Sequence, residues 1–400
     1  MKRSILLALL VACVAFDASA ANMRMNEVLE GLAGEGTRGR SIETDLAAAA
    51  DVIGRAVDGY GTFTRQRFEG PDDAMLENLL VIDPGSDADA GWIVVGAHYD
   101  HLGLGEEGDA NRGKIHFGAD DNASGCAVLA EVIDRWWGGG YADENERGVV
   151  FAFFSGEEIG LLGAKHFVEK LPDGVESVVT MINLDTVGRL EDGGLTVFGA
   201  ASGTGLADAM NGINTGFGLD LKLVDRSSGA SDDMAFAEAG VPALHFFTGA
   251  HPTYHRPTDT LDTLDHGGMG RVTSFALELV DYLSFADVQV EFVPAGAAAA
   301  LADPDRATEG RRRVTFGSIP DFQATDVVGV KITGVIPGSP AEEAGLQAGD
   351  VIVGFGGGPV EDLTDYSEAM KRYAPGDEVE VEFLRAGERS TVVVALRERR

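Results

Sequence analysis

The chain has 400 residues, of which 31 are Lys or Arg and 65 are Asp or Glu, so its formal net charge is −34. With 44% hydrophobic and 24% charged residues it has the composition of a folded protein, and its length predicts two or three domains of roughly 100–200 residues each. The charge argues against nucleic acid as a partner, because phosphates must be neutralised by Lys and Arg, and it favours the binding of cations.

The first segment has the three-part order of an export signal. Lys2 and Arg3 form a positive start, an apolar run from 5 to 16 follows, and Ala18-Ser19-Ala20 offers a cleavage site. The apolar run has 12 residues, too few to span a bilayer, and no other stretch reaches transmembrane length. We therefore predict an exported protein, periplasmic or secreted, with a lipoprotein cut before Cys13 as the alternative.

Strands and helices alternate through most of the chain after this signal. Short apolar runs rich in Val, Ile and Phe predict strands, and amphipathic segments between them predict helices. The predicted strands are Leu76–Asp83, Trp92–His98, Val149–Phe154, Val178–Asp185 and Val241–Phe247, and the predicted helices are Ala123–Trp137, Leu161–Leu171 and Val272–Leu283. This order predicts an α/β fold with a mixed, mainly parallel sheet sandwiched by helices.

A run of small residues with Pro304 at its end divides the chain. Residues 21–310 hold 18 basic and 49 acidic side chains, a net charge of 18 − 49 = −31, whereas residues 311–400 hold 11 and 15, a net charge of 11 − 15 = −4. We therefore predict a signal peptide over 1–20, a main domain over 21–290, a linker over 291–310 and a small domain over 311–400.

Acidic and His side chains recur where the predicted strands of the main domain stop. A single one of these residues is equally well explained as a helix cap or a turn residue. Together they would meet at one edge of one sheet, where two imidazoles and three carboxylates form a set of metal ligands. The sequence segments are His98-Tyr99-Asp100-His101, Gly118-Ala119-Asp120-Asp121-Asn122-Ala123-Ser124-Gly125, Gly156-Glu157-Glu158, Asn183-Leu184-Asp185 and Tyr254-His255-Arg256-Pro257-Thr258-Asp259-Thr260.

These five segments, in this order, resemble the co-catalytic zinc aminopeptidases, a family that includes bacterial leucyl aminopeptidases, glutamate carboxypeptidase and the transferrin receptor. The resemblance covers about residues 40–290 and implies a zinc-dependent exopeptidase fold with two Zn²⁺ ions per chain. By this resemblance His98 and Asp185 would bind one metal, and Glu158 and His255 would bind the other. The Asp120 carboxylate would bridge the two.

The same resemblance implies three catalytic residues. Glu157 would be the general base, Asp100 would orient the His98 ring, and Tyr254 would hydrogen-bond the oxyanion of the tetrahedral intermediate. The mixture of imidazole and carboxylate ligands favours zinc, with manganese and cobalt as alternatives. Asp121 is interpreted as structural because Asp120 matches the bridging position, and His101 is given no metal role.

One segment departs from the family. Ser231-Asp232-Asp233 stands where relatives more often have Ser-Asp-His, so Asp233 replaces a common His near the substrate side. The departure leaves the predicted metal ligands untouched and puts any carried-over substrate preference in doubt.

The last 90 residues resemble a PDZ domain, a small β-sandwich or barrel with two helices. The resemblance rests on the run Gly338-Ser339-Pro340-Ala341 and on Gly349-Asp350-Val351-Ile352 after it. It implies that an extended peptide C-terminus binds at a sheet edge, with its carboxylate held by a loop. That loop would be Phe316, Gly317, Ser318 and Ile319.

The sequence therefore predicts an exported metallo-aminopeptidase that acts on peptides with a free N-terminus. The alternatives are a carboxypeptidase or another amide hydrolase on the same two-metal scaffold. From a different class, the chain could be a peptide-binding protein that acts through its PDZ domain.

Overall fold

The computed structural model describes residues 18–34, 36–37, 40–41, 46–87, 89–105, 111–294, 314–320, 327–335, 338–360, 365–366, 369–370 and 372–398. Its helices are α1 (Ala18–Ala33), α2 (Leu46–Ala56), α3 (Gly125–Gly138), α4 (Leu162–Glu169), α5 (Leu190–Gly193), α6 (Leu206–Phe217), α7 (Asp233–Glu238), α8 (His266–Ser284) and α9 (Pro340–Glu343). Its strands are β1 (Thr62–Glu69), β2 (Met75–Asp83), β3 (Trp92–His98), β4 (Gly148–Phe154), β5 (Val178–Leu184), β6 (Leu195–Phe198), β7 (Leu221–Val224), β8 (Ala243–Phe247), β9 (Val314–Thr315), β10 (Ser318–Pro320), β11 (Val330–Val335), β12 (Val351–Phe355), β13 (Gly358–Pro359), β14 (Glu378–Arg385), β15 (Glu388–Ala395) and β16 (Arg397–Glu398).

An eight-stranded sheet forms the centre of the main domain, in the order β1-β2-β4-β3-β5-β8-β6-β7. The four central strands β4, β3, β5 and β8 run parallel to one another, and β6 pairs parallel with β7. The pairs β1–β2, β2–β4 and β6–β8 are antiparallel. The predicted α/β fold with a mixed, mainly parallel sheet is confirmed.

Helices cover both faces of this sheet because its central strands are apolar on both sides. In β4, Val149, Phe151 and Phe153 join one hydrophobic cluster with α1, α2, α3 and α8. Val150 and Phe154 face the other way, into a second cluster with Phe167 of α4 and Phe236 of α7. Side chains along a strand alternate between faces, so a continuous apolar run supplies both cores.

The C-terminal region has a hydrophobic cluster of its own around an antiparallel sheet. The sheet order is β10-β11-β12-β14-β15, and β14 places Val379, Val381 and Phe383 in the core while Glu380 faces solvent. Arg385 donates two hydrogen bonds of 2.7 Å to the buried Asp350 carboxylate, which joins β14 to the turn before β12.

The predicted strands and helices of the main domain are present, with ends shifted by a few residues. The predicted helix Ala123–Trp137 begins at Gly125 as α3, because Ala119–Ser124 adopts an irregular helical turn. The predictions for the main domain did not include α1, α2, α5, α6, α7, β1, β6 and β7.

Some predictions concern residues that the structure does not describe. The export signal falls outside the described residues up to residue 17, and Ala18–Ala20 begin α1. The linker lies largely within 295–313, also outside the described residues, so the domain boundaries stay predictions. None of the helices among the described residues is long and apolar enough to cross a membrane.

Candidate active site

The predicted site residues meet at the carboxyl edge of the central parallel strands. His98 is the last residue of β3, Glu157 and Glu158 follow β4, and Asp185 follows β5. These three strands are direct neighbours and parallel, so their carboxyl ends lie side by side. The loop after the next strand, β8, brings His255 to the same place.

Asp121 lies between the two imidazoles of the site. Its Oδ1 is 3.4 Å from His98 Nε2, and its Oδ2 is 2.8 Å from His255 Nε2. Burial alone would raise the pKa of Asp121, but contact with His255 and His98 holds it well below its usual range. A carboxylate that faces one His with each oxygen has the position required to bridge two cations.

The structure places Asp121, and not Asp120 for which the bridging role was predicted, between the two imidazoles. The Asp120 side chain points away from His98 and His255: its Oδ1 accepts the Gly188 backbone N–H at 2.7 Å and the Ser124 hydroxyl at 3.1 Å. The two neighbouring carboxylates diverge because the backbone between them is held from behind, where the buried Asp259 carboxylate accepts the N–H groups of both residues.

The glycines that frame this segment are required by close contacts. Gly118 has φ 58°, and a Cβ there would lie 2.2 Å from the Asp121 carbonyl oxygen. At Gly125 a Cβ would lie 2.3 Å from the carbonyl oxygen of Leu184 in β5. Both ends of the segment are thus packed too closely for a side chain, which keeps the Asp121 loop against the sheet.

Asp185 faces His98 from β5. Its Oδ1 lies 3.5 Å from His98 Nε2, while its Oδ2 accepts a 2.6 Å hydrogen bond from the Ser231 hydroxyl. Ser231 in turn accepts a hydrogen bond from the Asn183 amide. The polar residues just before Asp185 and just before α7 therefore orient this carboxylate.

Asp100 supports the loop that carries both glutamates. Its carboxylate oxygens accept the backbone N–H groups of Glu157 and Glu158 at 3.1 and 3.2 Å. Its Oδ1 is 3.8 Å from His98 Nδ1, and the same ring nitrogen is 3.2 Å from the Asp100 carbonyl oxygen. Asp100 thus lies beside His98 and fixes the backbone of both glutamates, and its predicted role of orienting the His98 ring stays a prediction.

Glu158 contacts two imidazoles, one of which the sequence motifs leave without a role. Its Oε2 is 3.5 Å from His255 Nε2, and its Oε1 is 2.8 Å from His101 Nδ1. His101 is buried, and with Asp121 and Glu158 it forms a group that could hold a metal ion. The signal for His101 was present in the sequence, since it follows the same strand end as His98 and Asp100.

Glu157 lies on the side of the site that holds His98 and Asp185. It forms a group with His98 and Asp185 in which one ligand atom of each residue lies within 4.8 Å of the others. Burial, reinforced by the charges of Glu158, Asp232 and Asp185, raises its pKa well above the usual range of a carboxylic acid. A carboxyl group in such surroundings accepts a proton readily, as general base catalysis requires.

Tyr254 packs against a proposed ligand. Its ring stacks on His255 with centroids 4.0 Å apart and an interplanar angle of 15°. Burial, followed by the negative charges of Asp121 and Glu158, raises the pKa of its phenol well above the usual value. The hydroxyl therefore keeps its proton at neutral pH and can act as a hydrogen-bond donor.

The chemistry of this donor set fits metal ions. Two imidazoles and three carboxylates converge here, and the Asp121 carboxylate faces both imidazoles. His98, Asp121 and Asp185 are buried, and Glu158 and His255 are partly buried. A concentration of buried carboxylates without cations would be costly, so divalent ions are the natural counter-charge. Imidazole and carboxylate ligands together suit zinc.

Comparison with known protein families agrees with the resemblances seen in the sequence. The model described as Peptidase family M28 matches residues 78–280, which is half of the chain and includes every proposed metal ligand. The chain belongs to Peptidase family M28. A second model, that of the PDZ domain, matches residues 302–396, and this confirms the predicted PDZ domain.

Curated relatives of this M28 chain include aminopeptidases. A protein described as "Probable lipoprotein aminopeptidase" from Mycobacterium tuberculosis is 24% identical over 263 residues, which cover 57% of this chain and 50% of the relative. A "Probable leucine aminopeptidase" from Trichophyton verrucosum is 30% identical over 223 residues, covering 52% of this chain and 58% of the relative. The chain thus spans about half the length of these curated relatives.

Solved structures share the fold of the M28 domain. The LapA aminopeptidase of Legionella pneumophila superposes with a TM-score of 0.52 and 18% identity, over 66% of this chain and 75% of that chain. The glutaminyl cyclase of Porphyromonas gingivalis superposes with a TM-score of 0.55 and 19% identity, over 66% of this chain and 98% of that one. At these identities the likeness concerns the fold alone.

The predicted carboxylate loop of the PDZ domain lies at the edge of its sheet. Ser318 and Ile319 belong to β10, an end strand that pairs with β11, and Gly317 before them has φ 85°. Phe316 is buried against Phe355 and Tyr366, and the Ser318 hydroxyl lies 2.6 Å from the Tyr366 hydroxyl. Phe316 therefore anchors the loop in the core, and peptide binding here stays a prediction.

Proposed function

We propose that this protein is an exported metallo-aminopeptidase that hydrolyses the N-terminal peptide bond of peptides with two zinc ions and Glu157 as general base. The observation that carries the proposal is Asp121, which faces His98 with one oxygen and His255 with the other. Asp185 would complete one metal site with His98, and Glu158 would complete the other with His255.

Two bound zinc ions would polarise the scissile carbonyl and lower the pKa of the attacking water. Glu157, beside His98 and Asp185, takes the proton of that water and delivers it to the leaving amine. Tyr254 keeps its phenolic proton and donates a hydrogen bond to the oxyanion that develops on the substrate. Asp100 holds the backbone of both glutamates during these transfers.

Membership in Peptidase family M28 and relatives described as aminopeptidases support cleavage at a free N-terminus. The order of positive start, apolar run and small residues supports export. The edge strand β10 of the PDZ domain supports a second peptide contact, at the C-terminus of a substrate or partner.

The function is tested with aminoacyl p-nitroanilides on zinc-loaded wild type and Glu157→Gln. We expect hydrolysis by the wild type, loss of activity with a chelator and recovery on adding zinc. The Gln variant should keep its zinc and lose about 10²–10⁴-fold in kcat, since its amide cannot accept the proton. The matched control Glu169→Gln, an exposed residue of α4, should leave kcat unchanged.

The outcomes separate the alternatives. Cleavage that requires a free C-terminus instead of a free amino group would make the protein a carboxypeptidase. Release of ammonia from N-terminal glutaminyl peptides without cleavage would point to the chemistry of the glutaminyl cyclase neighbour. A zinc-loaded protein that binds peptides through its PDZ domain and transforms none would be a binding protein.

A further inference from the structure

A polar cluster beside the proposed metal site has no part in the chemistry described above. It consists of Asp120, Arg189, His251 and Thr253, which we call the loop clamp. The buried Asp120 Oδ2 lies 3.1 Å from His251 Nε2 and 3.4 Å from Arg189 Nε. Thr253 Oγ1 lies 2.7 Å from His251 Nδ1 and accepts a 3.0 Å hydrogen bond from Arg189 Nη2.

One direction in this cluster follows from the chemistry of the groups. A guanidinium can only donate, so Thr253 Oγ1 accepts from Arg189. The Thr253 hydroxyl has both a proton and a second lone pair for His251 Nδ1, and the other ring nitrogen, Nε2, faces Asp120. The three side chains thus form a closed chain of contacts that begins and ends at Asp120.

The clamp joins three of the loops that build the site. Asp120 belongs to the loop of the bridging Asp121, Arg189 to the loop after β5 and Asp185, and His251 with Thr253 to the loop that carries Tyr254 and His255. The backbone N–H of Arg189 also donates a hydrogen bond to the hydroxyl of Thr248, which lies just after β8. The Asp120 carboxylate therefore contacts both of the other loops, through Arg189 Nε and His251 Nε2.

The loop that carries His255 needs such support. His255 has φ 55°, a left-handed conformation that is unfavourable for a residue with a Cβ. It lies in a stretch without regular strand or helix, whereas His98 ends a strand that is paired on both sides. A residue in a strained conformation keeps it only where its surroundings fix it.

We infer that the loop clamp is a positioning device that sets His255 and Tyr254 opposite Asp121 and so determines the affinity of the second of the two metal positions. This inference rests on the proposed two-metal function and adds a role for Asp120, Arg189, His251 and Thr253. The position at His98 and Asp185 is held by β3 and β5 and does not depend on the clamp.

The test compares Thr253→Val with Thr253→Ser, because Ser keeps the hydroxyl that joins Arg189 and His251 and Val removes it. Zinc is titrated into chelator-treated protein by calorimetry, and Co²⁺ binding is followed by absorption. We expect Val to bind one equivalent of zinc as the wild type does and the second about 10-fold more weakly, the lower end of the effect of direct partners of metal ligands, because the clamp acts on His255 through its loop. Ser should match the wild type.

Two further readouts separate positioning from a general loss of stability. The thermal unfolding midpoint of the metal-free protein should be the same for Ser and Val variants, while the increase on adding zinc should be smaller for Val. At saturating zinc, kcat should fall more than KM changes, since Tyr254 acts on the transition state. His251→Gln should repeat the Val result, and His166→Gln, in α4 at Phe68, should not.

If Thr253→Val binds both zinc equivalents as tightly as the wild type, the inference is overturned and the proposed function still stands. A wild-type protein that binds fewer than two equivalents would overturn the two-metal function and the inference with it.

Discussion

Asp120 and Asp121 are neighbours whose side chains have different contacts. Asp120 contacts Gly188, Ser124, Arg189 and His251. Asp121 faces the imidazoles of His98 and His255. The carboxylate of Asp259 fixes the backbone of both, which prevents either side chain from taking the place of the other. Substitution of each by its amide isostere therefore separates bridging from positioning.

Asp121→Asn should lower the affinity for both zinc equivalents by about tenfold or more, because the amide side chain offers one oxygen ligand where two are needed. Asp120→Asn should retain the first equivalent at wild-type affinity, since neither His98 nor Asp185 contacts Asp120. Stepwise zinc titration of the two variants measures this difference. Weakening of both equivalents in Asp120→Asn with none in Asp121→Asn would restore Asp120 as the bridge.

The sequence alone could not have chosen between these two residues. Both are aspartates in one segment, and the choice depends on the direction in which the backbone sends each side chain. That direction is fixed by Asp259, which lies 138 residues further along the chain from Asp121. Of the predicted ligands, His98, Glu158 and Asp185 lie at or just after strand ends. A strand end gives a side chain its direction locally, so the convergence of these three could be predicted from the sequence, and their binding of metal stays a proposal.

Among the strands and helices, prediction succeeded where a strand is buried on both faces. The runs of β3 and β4 are apolar throughout, which is the pattern of central parallel strands. The edge strand β1 reads Thr-Phe-Thr-Arg-Gln-Arg-Phe-Glu and is mostly exposed, and β6 and β7 have four residues each. Such strands carry little pattern of their own, and pairing with neighbours defines them.

Asp281 in helix α8 lies close to other acidic residues, and this leads to a further prediction. Burial, followed by the charges of Glu278 and Glu144, raises the pKa of Asp281 from 3.8 to about 6. The folded protein thus binds more protons than the unfolded chain between about pH 4 and pH 6, so this group makes stability fall as pH rises through that window. Above pH 6 the ionised carboxylate is destabilising.

Asp281→Asn removes this charge and should raise the unfolding midpoint at pH 7 to 8, with the difference from wild type vanishing towards pH 4. Urea unfolding at several pH values measures the effect. The exposed Asp173 offers the control Asp173→Asn, which should show no such pH-dependent gain. An Asp281→Asn variant that is less stable than wild type at pH 8 would contradict the prediction.

Over the chain as a whole, the net charge of −34 is concentrated in one part. Residues 21–310 carry −31, from 18 basic and 49 acidic residues, and only five of these acids belong to the proposed site. The remaining carboxylates outnumber the cations they could pair with, since this part of the chain has 18 Lys and Arg residues for its 49 acids. Charge of one sign destabilises a compact state through self-repulsion, and salt screens it.

We therefore expect NaCl to stabilise the zinc-loaded protein, with most of the gain below about 0.5 M, where the Debye length shortens most. The thermal unfolding midpoint is measured from about 0.02 to about 1 M NaCl for the wild type and for a triple variant in which the exposed Glu169, Asp173 and Glu176 become Lys. That variant has a net charge of −34 + 6 = −28, so its midpoint should start higher and rise less. A midpoint that stays level or falls with NaCl in the wild type would show that the acidic surface is already compensated by local pairing.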